Sequence, residues 1–247
     1  MQNAIKTEIK RLCRRIYSRQ DALNKRAEEY RTKFHRRSGV AAGIPSSTTA
    51  PFFVNRHFDP AYCARNANFL SKTIWYKVRS KTYQPIPALK FLVPKPSGDT
   101  REIMAFSIPD AALANVILWR ARNRNLKRLS PFSYAYHPER NVFDAILALA
   151  GFITEEKLFA VQIDFKNYFD SIPTGYLRNC INDQHMVSLT PDERFILNEL
   201  MYHQFATRSE YATGQFKRRV KGTPQGCSAS LLLANLANHH LDKVINR

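Results

Sequence analysis

The 247 residues hold 38 Lys and Arg against 20 Asp and Glu, a net charge of +18, with 44% hydrophobic residues. That apolar content is enough for a packed core, and the basic excess favours an extended polyanion such as nucleic acid over an acidic small molecule as partner. A generally basic protein, or one drawn to anionic membranes, would carry the same charge. No uninterrupted apolar stretch approaches the ~18–20 residues of a membrane span, and the basic N-terminus has no signal-peptide core, so the cytoplasm is the expected compartment. The four cysteines, Cys13, Cys63, Cys180 and Cys227, are scattered without zinc-ligand spacing and read as reduced thiols.

In chain order, Ile5, Ile9, Leu12 and Ile16 stand at helical spacing among many Lys and Arg, which predicts an amphipathic basic helix over residues 1–37. Such an arm could lie along a phosphate backbone or pack on its apolar stripe. Gly39–Pro51 is small and polar with two prolines and two glycines, a linker. Asp59-Pro60 then predicts an N-cap, and Cys63, Ala67, Leu70, Ile74 and Val78 continue one helical stripe to about Lys81. Leu89–Val93 and Arg101–Phe106 flank a Pro/Ser/Gly/Asp cluster and read as a β-hairpin. Lys95 precedes the turn and Arg101 follows it, so paired strands would hold both near one ligand, or form an ordinary basic surface hairpin. Asp110–Leu129 reads as a helix and Ser130–Ile146 as a loop leading into a short one.

The stretch Val161–Ile172 (VQIDFKNYFDSI) reads as a buried strand, Leu158–Ile163, delivering Asp164 to its tip, with Tyr168, Phe169 and Asp170 beyond. An Asp after an apolar run is by itself often a turn or a cap. Thr190-Pro191-Asp192-Glu193 is a capping box opening a helix to about Phe205, and Tyr211–Lys221 is basic and β-compatible. Gly222-Thr223-Pro224-Gln225-Gly226 then makes a tight turn before a helix with a Leu233, Ala237, Leu241 and Ile245 stripe. His239 and His240 are adjacent on that helix and point apart, which argues against a joint metal site.

Asp164 with its aromatic pair, followed by Pro224-Gln225-Gly226 at a helix head, resembles motifs A and B of the reverse transcriptase palm. The Lys95–Arg101 segment resembles the fingers hairpin of reverse transcriptases related to group II introns and retrons. Ser130–Ile146 resembles the next block of that family, with His137 where arginine is common and Asn141 where serine is common. The resemblance implies an α+β fold: a basic helical extension and linker over residues 1–50, fingers over 51–157, and a partial palm over 158–247. It implies that Asp164 and the carbonyl of Phe165 bind Mg²⁺, or Mn²⁺ in its place. Lys95 and Arg101 would then hold the phosphates of a deoxynucleoside triphosphate, and Gln225 would touch the nucleotide. Phe169 would lie under the sugar and exclude a 2′-hydroxyl, or serve as a core aromatic. Arg140 would contact template or nucleotide, Gly226 would face the nucleic acid, and Asp170 would make a local hydrogen bond rather than bind metal.

The family's third motif, an aromatic, one variable residue and Asp-Asp, is absent from the sequence, as is any thumb. Two cations need those further carboxylates. The expectation is an RNA-templated DNA polymerase using an RNA template and a DNA or RNA primer, given as part of a longer chain, or a short protein whose partner supplies the missing motif. The alternative is a non-catalytic nucleic-acid-binding module of the same fold. The basic arm and the divergent Ser130–Ile146 block lean towards retron-like or anti-phage defence enzymes.

Overall fold

The computed structural model describes residues 1–41, 54–96, 98–153 and 161–245. The N-terminal amphipathic pattern forms one helix, α1 (Gln2–Ser38), closed by Gly39 at φ 70° with its N–H bonded to the His35 carbonyl. Only its first third meets the core: Ile5, Ile9 and Cys13 are buried, and Leu12 and Ile16 pack against them. The later turns are almost entirely exposed. Most of the predicted linker lies outside the described residues.

Asp59 caps the next helix as expected, its carboxylate accepting from the Ala61 N–H at 2.8 Å. The stripe predicted as one helix is two, α2 (Pro60–Arg65) and α3 (Ala67–Arg79). The break falls at Asn66, whose backbone N–H and Nδ2 both donate to the Tyr62 carbonyl, at 3.0 and 2.9 Å, the second a local side-chain bond that asparagine makes readily. Cys63, Ala67, Leu70, Ile74 and Val78 nevertheless share one buried face.

The hairpin forms β1 (Ala88–Pro94) and β2 (Thr100–Ala105), antiparallel with Val93 opposite Arg101 and Pro94 opposite Thr100. In its turn the Lys95 N–H donates to the Asp99 carbonyl at 2.7 Å, and Gly98 takes φ 87°. Helix α4 (Ile108–Asn125) follows and is apolar on most sides, burying Ala112, Leu113, Val116, Ile117, Leu118 and Ala121. A helix with that pattern belongs inside, and it touches α1, α2 and α3. Helix α5 (Val142–Phe152) is the opposite case, strongly apolar yet with none of its residues buried.

Two further segments depart from expectation. The strand predicted to end on Asp164 is not formed: residues 161–165 take no regular structure, and Val161 and Ile163 are 85% and 69% exposed. A strand's N–H and C=O groups need a neighbouring strand, and among the described residues none lies beside this one. Leu158–Ala160, the start of that predicted strand, lie outside the described residues. The chain resumes with α6 (Tyr168–Ser171) and α7 (Thr174–Asn182).

Thr190 and Glu193 make the reciprocal capping box of α8 (Pro191–Met201), but the helix stops short of Phe205. Gln204–Ala206 is instead β3, parallel to β1 through Ala88–Phe205 and Leu89–Ala206. The stretch read as β-compatible holds a short helix, α9 (Arg208–Thr213), before β4 (Lys217–Arg218) pairs antiparallel with β3. The sheet order is β2-β1-β3-β4. Helix α10 (Ala229–Ile245) closes the described chain and packs on α4 and α7. Its Leu233 is buried and Ala237 partly so; Leu241 is 40% exposed, and the side chain of Ile245 is outside the described residues.

Asp110 ties the loop before β1 to the head of α4. Its carboxylate accepts from the Tyr83 hydroxyl at 2.8 Å, the Ile86 N–H at 3.0 Å and the Ser107 hydroxyl at 2.6 Å. Complete burial pushes its pKa up to about 6, against the lowering effect of those donors. A raised folded pKa means that its contribution is fully present below the ordinary carboxyl range and is lost as pH rises through about 6. The stability of the wild type relative to Asp110→Asn should therefore fall by about 2.5 kcal/mol between pH 4 and 7.5 in urea unfolding. A gap independent of pH would contradict this.

Candidate active site

The turn Gly222–Gly226 is wedged between two stretches of backbone. On one side the Gly222 N–H donates to the Ile172 carbonyl at 2.9 Å and the Thr223 N–H to the Phe169 carbonyl at 2.7 Å. Gly222 has φ 72°, and a Cβ there would lie 2.4 Å from the Phe169 carbonyl oxygen. On the other side the Met104 N–H donates to the Gln225 carbonyl at 2.7 Å, and a Cβ on Gly226, at φ 105°, would stand 2.5 Å from the Met104 oxygen. Only glycine permits both approaches. Behind the turn, the Ser230 hydroxyl at the start of α10 donates to the Pro224 carbonyl at 2.8 Å.

This clamp assembles a pocket of about 480 Å³ from three distant stretches: Lys95, Thr100, Arg101 and Glu102 of the hairpin, Tyr136, and Phe165 with Asn167–Asp170, closed by Gln225. Its size is that of a small-molecule site. Among the described residues Lys95 and Arg101 make no ion pair, whereas both acids are answered by partners that do not line the pocket. Glu102 pairs with Lys90, and Asp170 with Arg219 at 2.8 Å. The pocket therefore offers two uncompensated cations beside aromatic walls, a combination suited to a polyphosphate carried on a sugar and base.

Five residues singled out in the sequence, Lys95, Arg101, Phe165, Phe169 and Gln225, line this one pocket. Asp164 is exposed, one residue before the lining begins, and it is not itself part of the wall. Gly226 acts through its backbone, against Met104. Arg140 is turned to its own loop, its Nη1 donating to the carbonyls of Ser130 at 2.8 Å and Ser133 at 3.3 Å. The loop it braces carries Tyr136, held at φ 56° with its ring edge-on to Phe169 at 6.4 Å.

The two departures in that loop have simple roles. Asn141 caps α5 as a serine would, accepting from the Phe143 N–H while Asp144 accepts from the Asn141 N–H. His137 is buried, with Nδ1 accepting from the Glu139 N–H at 3.1 Å, and burial holds its pKa below the ordinary imidazole value. Tyr136, Asn167 and Arg219 belong to the site and were not legible beforehand. Asn167 sits at φ 52° before α6, a conformation asparagine tolerates, and it is the one local signal among them.

As a metal site the region is partial. Asp164 and the Phe165 carbonyl are hard oxygen donors that suit Mg²⁺, which keeps several waters and binds through one or two carboxylates with substrate phosphates. Both oxygens of Asp170 are already engaged, by Arg219 and by Gln225 Nε2 at 3.0 Å. Among the described residues no group of three or more His, Cys, Asp or Glu could hold an ion.

The family model described as reverse transcriptase (RNA-dependent DNA polymerase) matches residues 93–247, from the end of β1 to the last residue. The chain belongs to that family. It is 23% identical over 168 residues to Protein YkfC of Escherichia coli, covering 66% of this chain and 42% of that protein. It is 26% identical over 172 residues to the uncharacterized 91 kDa protein in cob intron of Schizosaccharomyces pombe, covering 68% of this chain and 20% of that protein. The chain thus spans less than half of either relative's length.

The clamp yields a controlled prediction, because Gly214 shares the φ of Gly222, 71° against 72°, with nothing within 4 Å of its would-be Cβ. Gly214→Ala should cost only the left-handed backbone strain, about 1–2 kcal/mol. Gly222→Ala should cost at least ~2 kcal/mol more, because backbone rather than a side chain must move. Equal losses in denaturant unfolding would show that the close approach is not present.

Proposed function

We propose that this protein is an RNA-templated DNA polymerase that adds deoxynucleotides to a primer 3′-hydroxyl. The observation that carries the reading is the single pocket in which the hairpin cations meet Phe169 and Gln225. In this reading Lys95 and Arg101 hold the triphosphate, and Gln225 positions the nucleotide. Phe169, stacked edge-on by Tyr136, closes the space in which a 2′-hydroxyl would sit. Asp164 with the Phe165 carbonyl would hold Mg²⁺ or Mn²⁺, which when bound lowers the pKa of the 3′-hydroxyl and neutralises charge on the departing pyrophosphate.

A two-metal site needs carboxylates beyond these, and the exposed apolar surface supports a place for the strands that would bring them. Val161, Ile163 and Phe165 are exposed, and so are Phe143 and Leu147 of α5, each at 71%. Burying each such side chain is worth about 1.5–3 kcal/mol, so this surface favours a cover of further palm, from the same chain or a partner. RNA template, primer and deoxynucleoside triphosphates are the proposed partners. No helix among the described residues is long and apolar enough to cross a membrane. A retron-like or anti-phage defence setting rests on the basic α1 and the divergent Ser130–Ile146 block, the latter weakened by Asn141 doing a serine's work.

Asp164→Ala should abolish primer extension on an RNA template, a loss of at least ~10³-fold, while leaving RNA affinity nearly unchanged in a binding titration. Extension that persists in the variant would overturn the assignment of Asp164. A wild type that binds RNA with the same salt dependence but never extends a primer would favour the non-catalytic binding module instead.

A further inference from the structure

Gln225 can offer a ligand either end of its carboxamide, since a half-turn about its last torsion exchanges oxygen and nitrogen. Its neighbour removes that freedom. Gln225 Nε2 lies 3.0 Å from Asp170 Oδ2, while Asp170 Oδ1 accepts from Arg219 Nη2 at 2.8 Å. A carboxylate paired with a guanidinium has no proton to give, so only the NH₂ end of the carboxamide can face it. Oε1 and the second N–H are left to the pocket.

Arg219 is itself anchored. It is 9% exposed, the same Nη2 donates to the Thr223 carbonyl at 3.2 Å, and its backbone N–H donates to the His203 carbonyl at 3.0 Å beside β3. A chain of bonds therefore runs from the sheet edge through Arg219 and Asp170 to the carboxamide. We infer that Asp170 is a positioning residue that sets which face of Gln225 meets the nucleotide, with Arg219 holding Asp170 in place. The inference rests on the nucleotide-pocket reading and deepens it. The pocket then presents a fixed acceptor, Oε1, to a hydrogen-bond donor on the bound nucleotide, with no side-chain reorganisation on binding.

The test is dTTP affinity, measured by titration in the presence of Mg²⁺, for wild type, Gln225→Ala, Asp170→Asn and the double variant. Each single change should weaken binding about tenfold, and the double variant should bind no more weakly than Gln225→Ala alone. Gln225→Glu, which opposes two carboxylates, should bind worse than Gln225→Ala and be rescued by Asp170→Asn, whose amide can donate to it. That rescue is one a general packing role would not produce, and it is read between folded variants even if Asp170→Asn alone is poorly stable. Fully multiplicative losses, no loss in Asp170→Asn, or failure of the rescue would overturn the inference while leaving the pocket reading intact. A wild type that binds no dTTP would overturn the pocket reading and this inference with it.

Discussion

The site depends on a close backbone approach made twice. Gly222 lies against the Phe169–Asp170 backbone and Gly226 against Met104, so one five-residue turn is bonded at once to the β1–β2 hairpin and to the segment after Asp164. Neither contact tolerates a Cβ, and both glycines hold a positive φ that other residues adopt at a cost. Because the turn leads directly into α10, which packs on the central helix α4, the geometry of the pocket is tied to the core rather than to loop conformation.

Charge is organised by the same scaffold. The acids at the pocket are each given a cation from outside it, Lys90 for Glu102 and Arg219 for Asp170, and this leaves Lys95 and Arg101 facing the cavity without a carboxylate. Individual surface pairs of this kind contribute little stability. Here their effect is local, because they decide the sign of the field where a polyphosphate would enter. The nearly buried Arg219 also converts a generic ion pair into an orienting device, through its bonds to His203 and Thr223.

What was legible in the sequence was what local chemistry determines. The hairpin follows from its turn residues, α1 from its spacing and α8 from its capping box, and Lys95, Arg101, Phe169 and Gln225, each at a fixed place in a motif, line one pocket. The break at Asn66 was hidden because the apolar spacing runs through it unbroken. Strand β3 was hidden because its three residues continue the apolar pattern of α8 and are selected as a strand only by β1, far away in the chain. Tyr136 reaches the pocket, and Arg219 the Asp170 in its wall, through tertiary contacts that no spacing encodes. The strand expected before Asp164 failed for a related reason: its apolar sequence is strand-like, but pairing is a property of two segments, and among the described residues its partner is missing.

One bound nucleotide would join three parts of the chain through this turn. Hydrogen exchange at backbone amides, followed with and without a deoxynucleoside triphosphate and Mg²⁺, tests it most directly. Exchange should slow together in the hairpin turn around Lys95–Arg101, in Asn167–Ile172 and in Gly222–Gly226, with the outer turns of α1 unaffected. Slowing confined to one of those segments, or centred on α1, would contradict it.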